Sequence, residues 1–248
     1  MDNQRLLAER MRAITVSREY GSGGGEIARR LAARLGWQLI DHEVVVQVAN
    51  ALGVSESEAE AQDEYTQSTM ARFLTGMRSI DPSIMVDPVP YVTADEEEYR
   101  RALLNVVQAA VHNGHVVIVG RGAQEILAHR HDVLHVRIVA ELEERISYVM
   151  IREGLNHDEA QNRIKQKDRQ RERYLNYHYH ADSSDAHLYD LVVNSSVIAL
   201  DDITTLICAA LTSKALRLDT PPEQLGPGAG STRYPQVPGD FDSHLNEN

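Results

Sequence analysis

The 248-residue chain has a single cysteine, Cys208. One thiol excludes a disulfide framework and a cysteine-based zinc knuckle, and it suits a reducing cytoplasm. Long hydrophobic runs are missing too: no stretch reaches the roughly 18 apolar residues that a membrane span needs. The opening residues, MDNQRLLAERMRA, scatter charges among apolar positions and form no signal-peptide core, so a cytoplasmic protein is expected. Basic residues are in deficit, with 25 Lys and Arg against 37 Asp and Glu for a net charge of −12. Phosphate backbones and anionic lipid must be met by bases, so a nucleic-acid duplex and a membrane surface are excluded as partners. Aromatics are scarce at 5%, but apolar residues reach 42%, too many for wholesale disorder.

The acid is not spread evenly. Residues 55–64 (SESEAEAQDE) hold five carboxylates and no base, and 95–98 (DEEE) hold four. From Asp219 to Asn248 five acids face only Arg233. These stretches together carry −13, so the rest of the chain nets about +1 against the total of −12. Within that remainder, 163–173 (RIKQKDRQRER) packs six bases with two acids. A small phosphorylated ligand is compatible with this distribution.

Prolines and glycines crowd the end of the chain, and 218–248 is expected to be a mobile acidic tail that buries too little to offset its ordering entropy. Residues 1–12 read as an N-terminal arm and 13–217 as the folded body. In the body, short β-rich runs at 13–17, 37–41, 116–120, 134–139 and 189–194 alternate with helical patterns at 25–36, 99–112, 142–153, 157–176 and 200–217. Continuous apolar runs such as Val116–Val119 suit strands covered on both faces. The alternation predicts a doubly wound α/β sheet with ligands at the carboxyl ends of its strands.

The first predicted strand runs into Ser17-Arg18-Glu19-Tyr20-Gly21-Ser22-Gly23-Gly24-Gly25, and a helix follows. Glycines there let several backbone N–H groups converge, and the helix dipole adds to them, so Gly21, Ser22, Gly23, Gly24 and Gly25 form a candidate phosphate cradle. Two readings compete. Gly23-Gly24-Gly25-Glu26-Ile27-Ala28 fits a dinucleotide fingerprint, with Asp41 placed as the ribose-binding acid. A phosphoryl-transfer loop is the rival, yet the usual Gly-Lys-Ser/Thr ending is absent.

ITVSREYGSGGGEIARRLAARLGW resembles the opening of the cytidylate kinase-like family, a divergent branch of the nucleoside monophosphate kinases. The similarity continues through VVIVGRGAQEIL, the Glu143-Glu144-Arg145 helix, DRQRERY and YDLVVNSS, and spans about 13–210. It implies a P-loop kinase-like sheet of five parallel strands with helices on both faces and a helical lid, here 157–187. It also implies an acceptor-side insertion, here 43–98. The kinase lysine falls on Gly24, and the hydroxyl positions after it on Gly25 and Glu26. Arg18 is then the nearest base that could meet the donor phosphates in its place. The arginine that grips the acceptor monophosphate matches Arg121 in Gly120-Arg121-Gly122. The lid pair matches Asp168 and Arg171, while an arginine expected four residues before the aspartate falls on Ile164.

The resemblance thus implies an ATP-dependent phosphotransferase acting on CMP, dCMP or a similar small acceptor, with Mg2+ accompanying ATP and nucleotides as partners. Positive charge on the transferring group is the main chemical need. Arg18, Asp168, Arg169 and Arg171 are the candidate catalytic set, with Asp41 and Arg121 on the acceptor side. Asp41 contacts either acceptor or metal, or caps the helix after it. Asp168 and Arg171 are spaced i, i+3, so the carboxylate can orient the guanidinium. The alternative is a nucleotide-binding or regulatory module impaired by loss of the lysine; a dinucleotide-binding protein ranks last. The pairs His129/His131 and His178/His180 lack matching ligands, and no protein-held metal site is expected.

Overall fold

This computed structural model describes residues 6–41 and 96–226. Most of the expected insertion (43–95) and the tail from 227 lie outside the described residues. By its internal contacts the chain divides into two units, Met1–Leu216 and Arg217–Asn248. Among its described residues the second holds one short 3-10 turn, Pro222–Gln224.

Five strands make one sheet: β1 (Ala13–Arg18), β2 (Gln38–Ile40), β3 (Val116–Val119), β4 (Val133–Val139) and β5 (Leu191–Asn194). All pairings are parallel, in the order β2-β3-β1-β4-β5. The α/β architecture expected from the alternation is therefore present. β1 and β3 are apolar and continuous because helices cover both of their faces; Ile14, Val16, Val117 and Ile118 are fully buried. Dinucleotide-binding sheets keep β2 beside β1. Here β3 stands between them, which overturns the dinucleotide reading of the glycine loop.

Among the described residues the sheet is accompanied by α1 (Gly24–Leu35), α2 (Glu96–Asn113), α3 (Ala123–Ile126), α4 (Leu142–Glu153), α5 (His157–Tyr179) and α6 (Leu200–Ala215). α1 turns Ile27, Ala28, Leu31 and Ala32 inward, as their helical spacing predicts. It ends at Gly36, whose φ of 69° is left-handed, and the next amide, Trp37 N–H, closes onto Ala32 O at 2.9 Å. α2 and α3 pack over Ala13, Val116, Ile118 and Val133. The last three residues of the DEEE patch open α2 and so belong to the folded body. The arm joins the body as well: Met11 is fully buried, and Arg12 N–H bonds to Asp132 O at 2.8 Å.

α5 differs from the other long helices. A capping box starts it, with Asn156 Oδ1 accepting from Glu159 N–H and Glu159 Oε2 accepting from Asn156 N–H, each at 3.0 Å. Along 23 residues it buries only Ala160, Ile164 and Leu175. The rest of its length is half-buried or exposed, and α5 falls within the 157–187 segment expected as the lid. Ile164 packs with Ile146, Val149 and Ala160, so an arginine at that position would lie in the core.

Candidate functional site

The glycine loop spans Glu19 to Gly25, between β1 and α1. Gly21 and Gly23 take φ of 83° and 75°, and Gly23 caps α1 without a side-chain bond. Among the described residues the amides of Gly21, Gly23, Gly24 and Gly25 donate to no protein acceptor, so they remain for a ligand. The loop is braced from below. Ser22 is buried and its hydroxyl bonds to Glu19 O at 2.9 Å, while Ser195 Oγ donates to Ser22 O at 2.7 Å. A Cβ on Gly21 would lie 2.9 Å from Arg145 O, so only glycine lets α4 approach this closely.

Arg18 ends β1, and its stem crosses the start of α1. A Cβ on Gly24 would sit 2.6 Å from Arg18 Cβ and 3.1 Å from its Cγ. The arginine therefore fills the space over the residue where the resemblance expects a lysine. Its guanidinium continues to Gly120, where an added Cβ would overlap Nη1. Burial first, then repulsion from Arg171, pulls the Arg18 pKa well below the usual guanidinium value, to about 9, with Asp41 pulling the other way and Arg121 adding to the fall. The group stays cationic at neutral pH, and among the described residues no carboxylate makes an ion pair with it at short range.

Arg121 follows β3 in a turn in which Gly120, Arg121 and Gly122 all have positive φ, at 78°, 58° and 68°. A non-glycine residue held there costs of order 1 kcal/mol, which ties the backbone strain to the position of this side chain. Its guanidinium lies over the Tyr174 ring of α5, 5.3 Å from the centroid. Tyr179 of the same helix packs so closely on Gly122 that any side chain there would collide with its ring.

The α5 residues divide in two. Asp168 accepts from the Tyr20 amide of the glycine loop at 2.8 Å and from Arg145 Nη1 at 2.5 Å. Arg145 also lies 3.7 Å from Glu19 and 3.3 Å from Tyr20 O. Asp168 thus ties α5 to the loop through Arg145; its oxygen is 3.9 Å from Arg171, so orienting Arg171 is the weaker of its contacts. Arg171 donates to Arg18 O at 3.1 Å and stacks over the Tyr20 ring at 5.3 Å. Burial lowers its pKa, Asp168 and Tyr20 oppose this, and Arg137 and Arg145 add to the fall. Arg169 is exposed on the other side of the helix and is not gathered into this cluster.

Arg18, Arg121, Arg171, Asp41 and the glycine loop therefore converge at the carboxyl edge of the sheet. Two further members went unread in the sequence, Glu19 and Arg137. Glu19 accepts from Ala140 N–H at 3.0 Å, joining the loop to the end of β4. Arg137 is only 8% exposed, and its Nη1 donates to Ser17 Oγ at 3.2 Å. The signal for it was present in β4: His135 and Arg137 alternate in an otherwise apolar strand and so share a face. His129 and His131 sit exposed in a loop, and His178 and His180 end a helix, so neither pair lies on a strand. Among the described residues no group of three or more His, Cys, Asp or Glu could hold a metal, and no helix is long and apolar enough to cross a membrane.

The chain is similar to known proteins. Over 200 residues the chain is 28% identical to the cytidylate kinases of Thermococcus kodakarensis and Pyrococcus horikoshii, covering 80% of this chain and 86% and 87% of theirs. A solved structure of an uncharacterized protein from Eubacterium ventriosum superposes with a TM-score of 0.60 at 22% identity, over 82% of this chain and 99% of the other. That likeness establishes the shared fold. The profile of the cytidylate kinase-like family covers residues 13–197, from β1 through the loop after β5, and with it every residue of the cluster. A parallel sheet with a glycine loop and a ring of arginines at its carboxyl edge is what a kinase-type phosphotransferase requires, and the chain belongs to the cytidylate kinase-like family.

Proposed function

We propose that the protein transfers the γ-phosphoryl group of ATP to a nucleoside monophosphate, CMP or dCMP first among them. The observation that carries this reading is the placement of Arg18 across Gly24, which supports a cation at the loop despite the missing lysine. In the reaction an acceptor phosphate oxygen bonds to the γ-phosphorus while the bond to the β,γ-bridging oxygen breaks. ADP leaves and a nucleoside diphosphate forms. The attacking oxygen belongs to a phosphate dianion and carries no proton, so no general base is needed. The protein's work is positioning and charge.

The amides of Gly21, Gly23, Gly24 and Gly25 would take the donor phosphates, with Ser22 bracing the loop from within. Arg18 and Arg171 would face the charge spread over the transferring group, and Arg121 would hold the acceptor phosphate. Asp168 positions the loop through the Tyr20 amide. The exposed Arg169 would reach the site only with a movement of α5. The residues fit a magnesium ion that arrives with ATP and not one held in a protein cage: Ser22 turns its hydroxyl inward, and Asp41 follows β2 at the carboxyl edge. Bound there, the ion would neutralise phosphate charge.

A coupled ADP-release assay over CMP, dCMP, UMP, AMP and GMP tests the reading, and turnover with at least one cytidine nucleotide is expected. Absence of turnover with all of them at high enzyme, alongside a thermal shift with ATP, would leave the impaired nucleotide-binding module in its place.

A further inference from the structure

Arg137 lies in β4 directly opposite Ser17, the residue before Arg18. It is 8% exposed, and among the described residues its hydrogen bond goes to the neutral Ser17 hydroxyl. Its guanidinium carbon sits 5.7 Å from the centre of the Tyr189 ring, whose own hydroxyl lies 3.2 Å from Ser17 Oγ and 3.1 Å from Ser183 O. Among the described residues no carboxylate forms an ion pair with it. Asp182 is close enough to feel its charge, but that carboxylate is exposed and accepts from Ser184 N–H and Oγ at 2.8 and 2.7 Å. A guanidinium carries five N–H donors, and withdrawing it from water without a carboxylate partner is costly.

The contrast with Arg145 is instructive. Arg145 is largely enclosed as well but is matched by Asp168 and Glu19. Arg137 instead adds its charge to that of another cation, Arg171, which is tied to the carbonyl of Arg18. Ser17 and Arg18 end β1 on opposite faces, so Arg137 and Arg18 approach the same edge from the two sides of the sheet. Arg171 is repelled by Arg137 and Arg18 by Arg171, so an anion bound among them would relieve that repulsion.

We infer that Arg137 is a further acceptor-binding residue, held by Ser17 so that its unused N–H donors meet an anionic oxygen of the acceptor's phosphate. The assignment of that anion to the acceptor rests on the phosphotransferase reading; the anion site itself does not. Arg137→Met keeps the length of the stem and removes the charge. With ADP saturating the glycine loop, added inorganic phosphate should raise the melting temperature of the wild-type chain and should have little effect on this variant. Without ligand the variant should melt as high as the wild type or higher, because an unmatched buried charge has gone. The KM for the monophosphate acceptor should rise 10- to 100-fold, with the KM for ATP within about twofold.

A purely structural arginine would behave the other way, with a lower melting temperature and an unchanged response to phosphate; that result overturns the inference. Should Arg137→Met fail to fold, Ser17→Ala and Arg137→Lys serve instead, since both keep the charge and disturb only its aim. Each should weaken phosphate binding several-fold, and an unchanged phosphate response in both would count against the assignment. Turnover with an acceptor KM untouched by these changes sinks this inference alone. An Arg137-dependent phosphate response in a wild-type chain without turnover sinks the kinase reading and supports the anion site.

Discussion

At the scale of single residues, Arg18 and Gly24 form one unit. Arg18 occupies the volume above Gly24, and Gly24 has an ordinary helical φ, so only contact with the arginine forbids a larger side chain there. Gly24→Lys alone should therefore destabilise the chain by about 1–3 kcal/mol through overpacking, measured in urea, and should not raise activity. Combined with Arg18→Gly, which removes the Cβ that an added Cβ on residue 24 would meet at 2.6 Å, the lysine has room, and part of that lost stability should return. The double-mutant cycle should show coupling above about 1 kcal/mol. Arg18→Met keeps the stem that packs on Gly24 but removes the charge, and kcat should fall about 100-fold or more without loss of stability. A variant that keeps full turnover would show that the charge over the loop comes from elsewhere.

At the scale of elements, β1 and β4 are joined by more than their backbone ladder. Thr15 Oγ1 and His135 Nδ1 lie 2.8 Å apart in the interior, His135 N–H donates to Asp190 at 2.8 Å, and Asp190 meets Lys214 of α6 at 2.6 Å. Burial first, with Lys214 adding and Asp190 opposing, pulls the His135 pKa from 6.5 down to about 4. Between those values the unfolded chain binds a proton that the folded chain does not. Stability should therefore fall as pH drops through this window, by up to about 1.4 kcal/mol per pH unit for one proton. His135→Phe should cost about 1–2 kcal/mol at pH 7 by stranding the Thr15 hydroxyl, yet flatten the decline between pH 6.5 and 4 in urea melts. An equally steep decline in the variant would place the titrating group elsewhere. His135 also marks what the sequence conveys and what it does not. The strands were legible because runs such as VVIV are covered on both faces, and α4 was legible to the residue from its apolar stripe and Gly154. Residues of the site that act through the fold were not. Arg137 and His135 lie inside LHVRIV, where apolar neighbours mask them, and Asp168 was read with its near neighbour Arg171 although its firmest partner, Arg145, is 23 residues away.

At the scale of the whole molecule, the net charge of −12 and the arginine cluster act over different distances. The acidic surplus lies in stretches away from the cluster in sequence, and its long-range field opposes the approach of an anionic nucleotide. Salt screens that field within roughly 10 Å at 0.1 M, whereas buried pairs are screened far less. Arg18 and Arg137 are buried, so an anion held mainly by them should depend weakly on salt. Between about 50 and 300 mM KCl the acceptor KM should change by less than about twofold, because weakened repulsion offsets the small loss of attraction. Exposed bases along α5 would give a different result. If Lys165, Arg169 and Arg173 held the phosphate, each contact would be open to counterions and the KM should climb several-fold over the same range. The salt series thus separates two ways of using one basic helix. A flat response assigns binding to the enclosed arginines and leaves Arg169 and its exposed neighbours in solvent, and a steep one moves the phosphate contacts to the outer face of α5.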